Sequence, residues 1–197
     1  MKKICLLISV MLLTAGLSYG QQKYFSNESI NLIEYGYRDG KLDSSFANPK
    51  VNNVYKNTKC IQYKRSESKF DNVKIHPKGK FEDVTTFAKF DSTANKIKMK
   101  VYSTAPVGTI IEIQFAKKGI NEYPTGVHSQ FQSKTKKQNE WEELTFDFVN
   151  WPEGSKVNPS EVDEMVILFS PNSTLSNDFY FSDMIGPKLI AIVKSKE

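Results

Sequence analysis

Cysteine is nearly missing from this chain. The 197 residues include only Cys5 and Cys60. Cys5 lies in an N-terminal segment expected to be removed, so no internal disulfide is expected and packing must hold the fold together. Cys60, within TKCIQYKRS, reads as a small buried hydrophobe rather than a reactive thiol. Histidine is just as scarce, and His76 and His128 by themselves argue against a multi-histidine zinc centre. The sequence has no GxSxG elbow, which argues against a triad hydrolase. No segment approaches the roughly 20 apolar residues needed to span a bilayer. The lysines are scattered, without the dense basic run and interleaved aromatics of a nucleic-acid surface. No repeat or low-complexity linker divides the chain, and no window makes a convincing amphipathic helix.

What is present begins with MKKICLLISVMLLTAGLSYG: Lys2 and Lys3, an apolar run from Ile4 to Leu17, then Ser18 and Gly20 at cleavage spacing. This predicts a secretory signal peptide over 1–20 and a secreted or periplasmic product. Gln21 and Gln22 stand where a lipoprotein would carry its acylated cysteine. Residues 21–197 then fit one domain with a core large enough to fold alone. The formal charge of +5 drops by two when Lys2 and Lys3 leave, so the remainder is weakly basic.

The rest of the chain alternates apolar and polar residues with β-branched and aromatic enrichment, which predicts an all-β protein. Expected strands are SINLIEYG, CIQYKRS, VTTFAKF, NKIKMKVYS, GTIIEIQFA, GVHSQFQSK, WEELTFDF, EMVILFS and DFYFSDMI. Turn-rich stretches such as KLDSSFANPKVNN and VNWPEGSKVNPS separate them. Crossover helices are lacking, so these strands predict a two-sheet antiparallel β-sandwich or jelly roll. In NEWEELTFDF the alternation turns Glu142, Leu144, Phe146 and Phe148 inward and leaves Trp141, Glu143, Thr145 and Asp147 on the other face. Adjacent glutamates on a strand point apart, so Glu142 and Glu143 are poorly placed to work as a catalytic pair.

The residues KMKVYSTAPVGTIIEIQF, GVHSQFQSKT, NEWEELTFDF, MVILFSPNS and DFYFSDMIG, in that order, resemble the galactose-binding-like, jelly-roll carbohydrate-binding modules of secreted bacterial polysaccharide-degrading proteins. The resemblance runs from about Ile30 to Ile185. It implies a domain that binds glycan without chemistry, with a polysaccharide or oligosaccharide as partner. The usual module is attached to an enzyme; none is visible here, which leaves a free-standing binder or an adaptor to another secreted protein. The resemblance further implies a structural calcium, with Glu34 and Asp183 at the matching positions. Oxygen ligands suit that hard cation, and Asp43 or Asn52 in KLDSSFANPKVNN could add to them.

Polar side chains alternate onto one face of neighbouring strands: Glu112 and Gln114 in TIIEIQF, and His128, Gln130 and Gln132 in GVHSQFQ. Amides and carboxylates can hydrogen-bond sugar hydroxyls while an aromatic ring packs on the apolar sugar face. Arg65 could add a fork of donors, and Tyr63, Tyr102, Tyr123 or Trp151 could be the platform. An ordinary solvent-facing sheet surface accounts for the polar residues equally well. Two other readings stay open. One is a jelly-roll glycoside hydrolase or polysaccharide lyase, although EVDEMV puts Val166 where an ExDxxE motif needs its last glutamate. The other is a structural or adhesin-like protein.

Overall fold

The computed structural model describes residues 21–26 and 32–190; the expected signal peptide, 1–20, lies outside them. The described strands, in chain order, are β1 (Gln21–Tyr24), β2 (Ile33–Arg38), β3 (Lys41–Ala47), β4 (Lys59–Lys64), β5 (Asn72–Pro77), β6 (Lys80–Phe81), β7 (Ile97–Ser103), β8 (Ile110–Ala116), β9 (Val127–Lys134), β10 (Trp141–Asn150), β11 (Glu164–Phe169), β12 (Asp178–Pro187) and β13 (Leu189–Ile190). All pairings among them are antiparallel.

Two sheets face each other. The first runs β3-β4-β12-β7-β10, with β1 also on β12; the second runs β2-β5-β11-β8-β9-β10. Strand β10 belongs to both: Trp141 to Phe146 pair with β7, and Asp147 to Asn150 pair with β9 across a bulge. One core lies between them. Ile97, Met99 and Val101 of β7 and Phe179 and Phe181 of β12 meet Ile111, Ile113 and Phe115 of β8 and Met165, Ile167 and Phe169 of β11. The architecture is the expected all-β jelly-roll sandwich.

On the outer face of the first sheet the lysines of β7 and the one just before it find carboxylates: Lys96 with Asp147, Lys98 with Glu143, and Lys100 with Asp183. The same face carries a smaller aromatic cluster. Trp141 is buried there against Tyr55, Tyr102 and Tyr180, and its indole N–H donates to Asn48 Oδ1 at 2.8 Å. Trp141 and Glu142 thus point to opposite faces, as alternation requires. Both are buried, because the segment around Asn48 and Tyr55 covers the tryptophan.

Three strand expectations need correction. VTTFAKF is a buried turn: the N–H groups of Phe87 and Ala88 both donate to the Val84 carbonyl. Its buried residues, Val84, Phe87 and Ala88, follow an i, i+3, i+4 spacing, which is helical rather than period-two. β3 emerges from a stretch read as turn-rich, because it is a polar edge strand whose alternation is interrupted by a bulge between Asp43 and Phe46. β5 offers only Val73 and Ile75 to the core, too short an apolar signal to stand out.

Candidate functional site

Paired residues on neighbouring antiparallel strands share a face. Glu112 of β8 lies opposite Gln132 of β9 and Leu168 of β11; Gln114 lies opposite Gln130 and Val166; and Val166 lies opposite Lys74 of β5. Because Ile111, Ile113 and Phe115 occupy the core, this row faces out from the second sheet. It floors a groove of about 500 Å³. The Ile120–Tyr123 segment bounds one end, and Phe70, Pro171 and Asn172 bound the other.

Glu112 is the polar hub of the floor. It is only 5% exposed. One carboxylate oxygen accepts from Gln114 Nε2 at 2.6 Å and Gln130 Nε2 at 2.8 Å, and the other accepts from Gln132 Nε2 at 2.6 Å. Beside it lies an apolar strip of Ala116, Val166 and Leu168. Beyond that strip Glu164 is buried between Lys74 Nζ at 3.1 Å and His76 Nε2 at 2.8 Å. Lys74 also donates to Asn121 Oδ1 at 2.7 Å. His76 fits because Gly36 lies under its ring; a Cβ there would stand 2.5 Å from Cε1.

The aromatic members sit on the rim. Tyr123 is 63% exposed and Phe70 is 60% exposed. Buried aromatics are the rule in a core, so rings left in water at the two ends of one groove are the informative kind. The Tyr123 hydroxyl lies 3.4 Å from Gln130 Oε1.

Of the residues expected from sequence, the groove gathers Glu112, Gln114, Gln130 and Tyr123, with Gln132 bonded to Glu112 from the side. His128 is not in the lining. It sits at the β9 bulge, where the register steps from Phe115–Ser129 to Ala116–Val127. It is buried, with Nδ1 3.1 Å from Ser129 Oγ, and burial lowers its pKa below the usual 6.5.

Arg65 corrects the expectation of a free donor fork. It is 2% exposed, and its guanidinium is spent on carbonyls. Nε donates to Phe169; one terminal nitrogen donates to Ser66 and Leu175; the other donates to Ser68, Ser170 and Ser173. It therefore ties the segment bearing Phe70 to the segment bearing Pro171 and Asn172, holding one rim of the groove from behind.

Tyr63 is no platform either, being fully buried and donating to Asp71 Oδ1 at 2.5 Å; Tyr102 packs against Trp141 and Tyr180. Trp151 lies outside the groove lining. It is 48% exposed and packs on Phe148 at 4.4 Å and edge-on against the exposed Phe90 at 5.6 Å. Its neighbour Asn150 reaches Gln130 Oε1 at 3.4 Å, which brings this aromatic corner next to the groove.

The residues named for calcium do not fit one. Glu34 lies in the second sheet, exposed and 3.9 Å from Lys78. Asp183 lies in the first sheet, held by Lys100 at 2.7 Å and Lys23 at 3.5 Å. Asp43 accepts from the Ser45 N–H, and Asn52 from the Val54 and Tyr55 N–H groups. Among the described residues no three His, Cys, Asp or Glu side chains gather as metal ligands. The first and last described parts of the chain are clipped instead by β1–β12 pairing and by the Tyr24 hydroxyl donating to the Pro187 carbonyl.

No protein-family model matches the sequence, and no curated protein matches it. Solved structures do match in fold. A family 30 carbohydrate-binding module superposes with a TM-score of 0.50 at 12% identity, over 85% of this chain and 99% of that one. The fold is that of the jelly-roll carbohydrate-binding modules. A family 11 module from Clostridium thermocellum, in complex with a β-1,3-1,4-mixed-linked tetrasaccharide, matches over 89% of this chain and 98% of its own, at 13% identity and a TM-score of 0.46. The MgGH51 α-L-arabinofuranosidase contains the same architecture in part: this chain covers 26% of it, at 10% identity and a TM-score of 0.51.

Proposed function

We propose that this protein is a secreted, non-catalytic carbohydrate-binding protein that takes a polysaccharide or oligosaccharide into the groove of the second sheet. The observation that carries this reading is the Glu112 hub, with its glutamines, set between exposed Phe70 and Tyr123. Amide groups suit vicinal hydroxyls and the rings suit apolar sugar faces, as in other small-ligand grooves. The fold supports it, since the family 30 module shares it. Trp151 with Phe90 would extend the contact beyond the Tyr123 end, while Arg65 would contribute by holding the Phe70 rim. Secretion rests on the signal-like segment over 1–20.

Geometry argues against a hydrolase built on the two buried carboxylates of the groove. Leu168 is the partner of Glu112, and Glu164 lies four residues further along β11. At about 3.3 Å per residue that offset is roughly 13 Å. Acid and base carboxylates of glycosidases stand about 5 to 9.5 Å apart.

The test is affinity electrophoresis and calorimetry on a panel of soluble polysaccharides, with reducing-end and unsaturated-product assays run in parallel. Retention on at least one glycan, no product, and at least about tenfold weaker binding by Phe70→Ala with Tyr123→Ala are expected. Both rings are exposed, so the double variant should fold. Product release that accompanies binding would support the enzyme; a co-purifying protein with no glycan retained would support the adhesin-like reading.

A further inference from the structure

Charge and hydrogen-bond direction in the groove constrain the ligand further. An ionised carboxylate only accepts hydrogen bonds, so the three amides around Glu112 must turn their nitrogens toward it. Their orientation is thereby set by chemistry rather than left ambiguous. The carbonyl oxygens of Gln114 and Gln130 then face away from the carboxylate, and each amide nitrogen keeps a second N–H. Gln130 Oε1 is held only by two contacts, both at 3.4 Å, from Tyr123 and Asn150. With the Asn121 and Asn172 amides also in the lining, the groove offers both acceptors and neutral donors, which suits a ligand rich in hydroxyl groups.

The ionic balance runs the same way. Glu112, Glu122 and Glu164 line the groove, and Lys74 is the only Lys or Arg among the described residues that line it. Lys74 is already engaged by Glu164 and Asn121. The guanidinium of Arg65 is consumed by backbone carbonyls. Among the described lining residues an incoming anion would meet net negative charge and no cation without a partner, although the chain as a whole is positive. Local field, not net charge, governs entry to a partly enclosed site.

We propose that the groove selects uncharged, hydroxyl-rich glycans and rejects those bearing carboxylate or sulfate groups. This rests on the glycan-binding reading above. It commits that reading to one substrate class: neutral polysaccharides rather than uronate-containing or sulfated ones.

The experiment takes whichever neutral glycan is retained and oxidises part of its primary alcohols to carboxylates, leaving the backbone unchanged. Binding of the parent and oxidised forms is compared by calorimetry at low and at raised salt. The oxidised form is expected to bind at least about tenfold more weakly at low salt, as like charge across a contact suppresses wrong partners. Salt should narrow the gap. Glu122→Gln, which removes one exposed charge from the lining, should narrow it about two- to fivefold without affecting the fold. Equal or tighter binding of the oxidised form, or retention only on polyanions, overturns the selectivity and leaves glycan binding standing. Retention on no glycan of either kind overturns both.

Discussion

The Arg65 Nε donates to the Phe169 carbonyl at 2.6 Å, joining the end of β4 to the end of β11 beneath the Phe70 rim. Burial lowers the pKa of this guanidinium below its usual value, yet the atoms it bonds are all acceptors. A lysine keeps the charge but has three donors and no planar fork. Arg65→Lys would therefore leave several buried carbonyls unpaired and cost about 3 kcal/mol, read from the denaturant midpoint. If Arg65 acts through the rim, glycan binding should weaken further than a general loss of stability explains, measured well below the unfolding transition.

Glu142 should matter for stability alone. Its carboxylate accepts the Lys136 N–H at 2.9 Å and the Lys137 N–H at 3.1 Å, fixing the turn before β10. Glu142→Gln replaces one acceptor oxygen with a donor and should cost about 1.5–3 kcal/mol, with glycan affinity unchanged. An unchanged denaturation midpoint would contradict this assignment.

Acid should destabilise the fold through His128. Burial depresses its folded pKa below 6.5, so the unfolded chain binds more protons once pH falls below that value. Stability from this group is full above about 6.5 and is lost as pH falls through the folded pKa. His128→Asn should flatten the decline in midpoint between neutral pH and about 5. A wild-type and variant that fall in parallel would count against it.

The Cys60 thiol should be inert in the native protein. Burial, with Asp43 nearby, pushes its pKa up to about 12, and the thiolate is the reactive form. Ellman's reagent at pH 8 should report one thiol only after denaturant is added, for the protein lacking residues 1–20. Rapid native labelling would place Cys60 at an accessible surface.

Much of this was legible in alternation. The face assignment of NEWEELTFDF holds, and so does the shared row of Glu112, Gln114, Gln130 and Gln132, because period two survives wherever a strand packs on a core. His128 escaped because a one-residue bulge takes it out of the row, and nothing in GVHSQFQ marks a bulge. Arg65 escaped for a different reason: most of its acceptors, such as Phe169 and Ser173, come from segments about a hundred residues away. Phe70, at the end of SESKF, carries no strand pattern, and only its exposure beside the groove makes it informative. The apolar run of EMVILFS places Glu164 on a strand but not in a groove, since its partners Lys74 and His76 lie on β5, whose pattern is too short to read.

Strand β10 gives its first six residues to one sheet and the rest to the other. Neither sheet can detach while that strand stays in place, so the two halves should melt as one cooperative unit. The amides of Leu144 to Phe148 should rank among the slowest to exchange with deuterium. A cut or permutation within β10 would sever the hinge between the halves, whereas one in the exposed Gly119–Tyr123 segment would leave both intact.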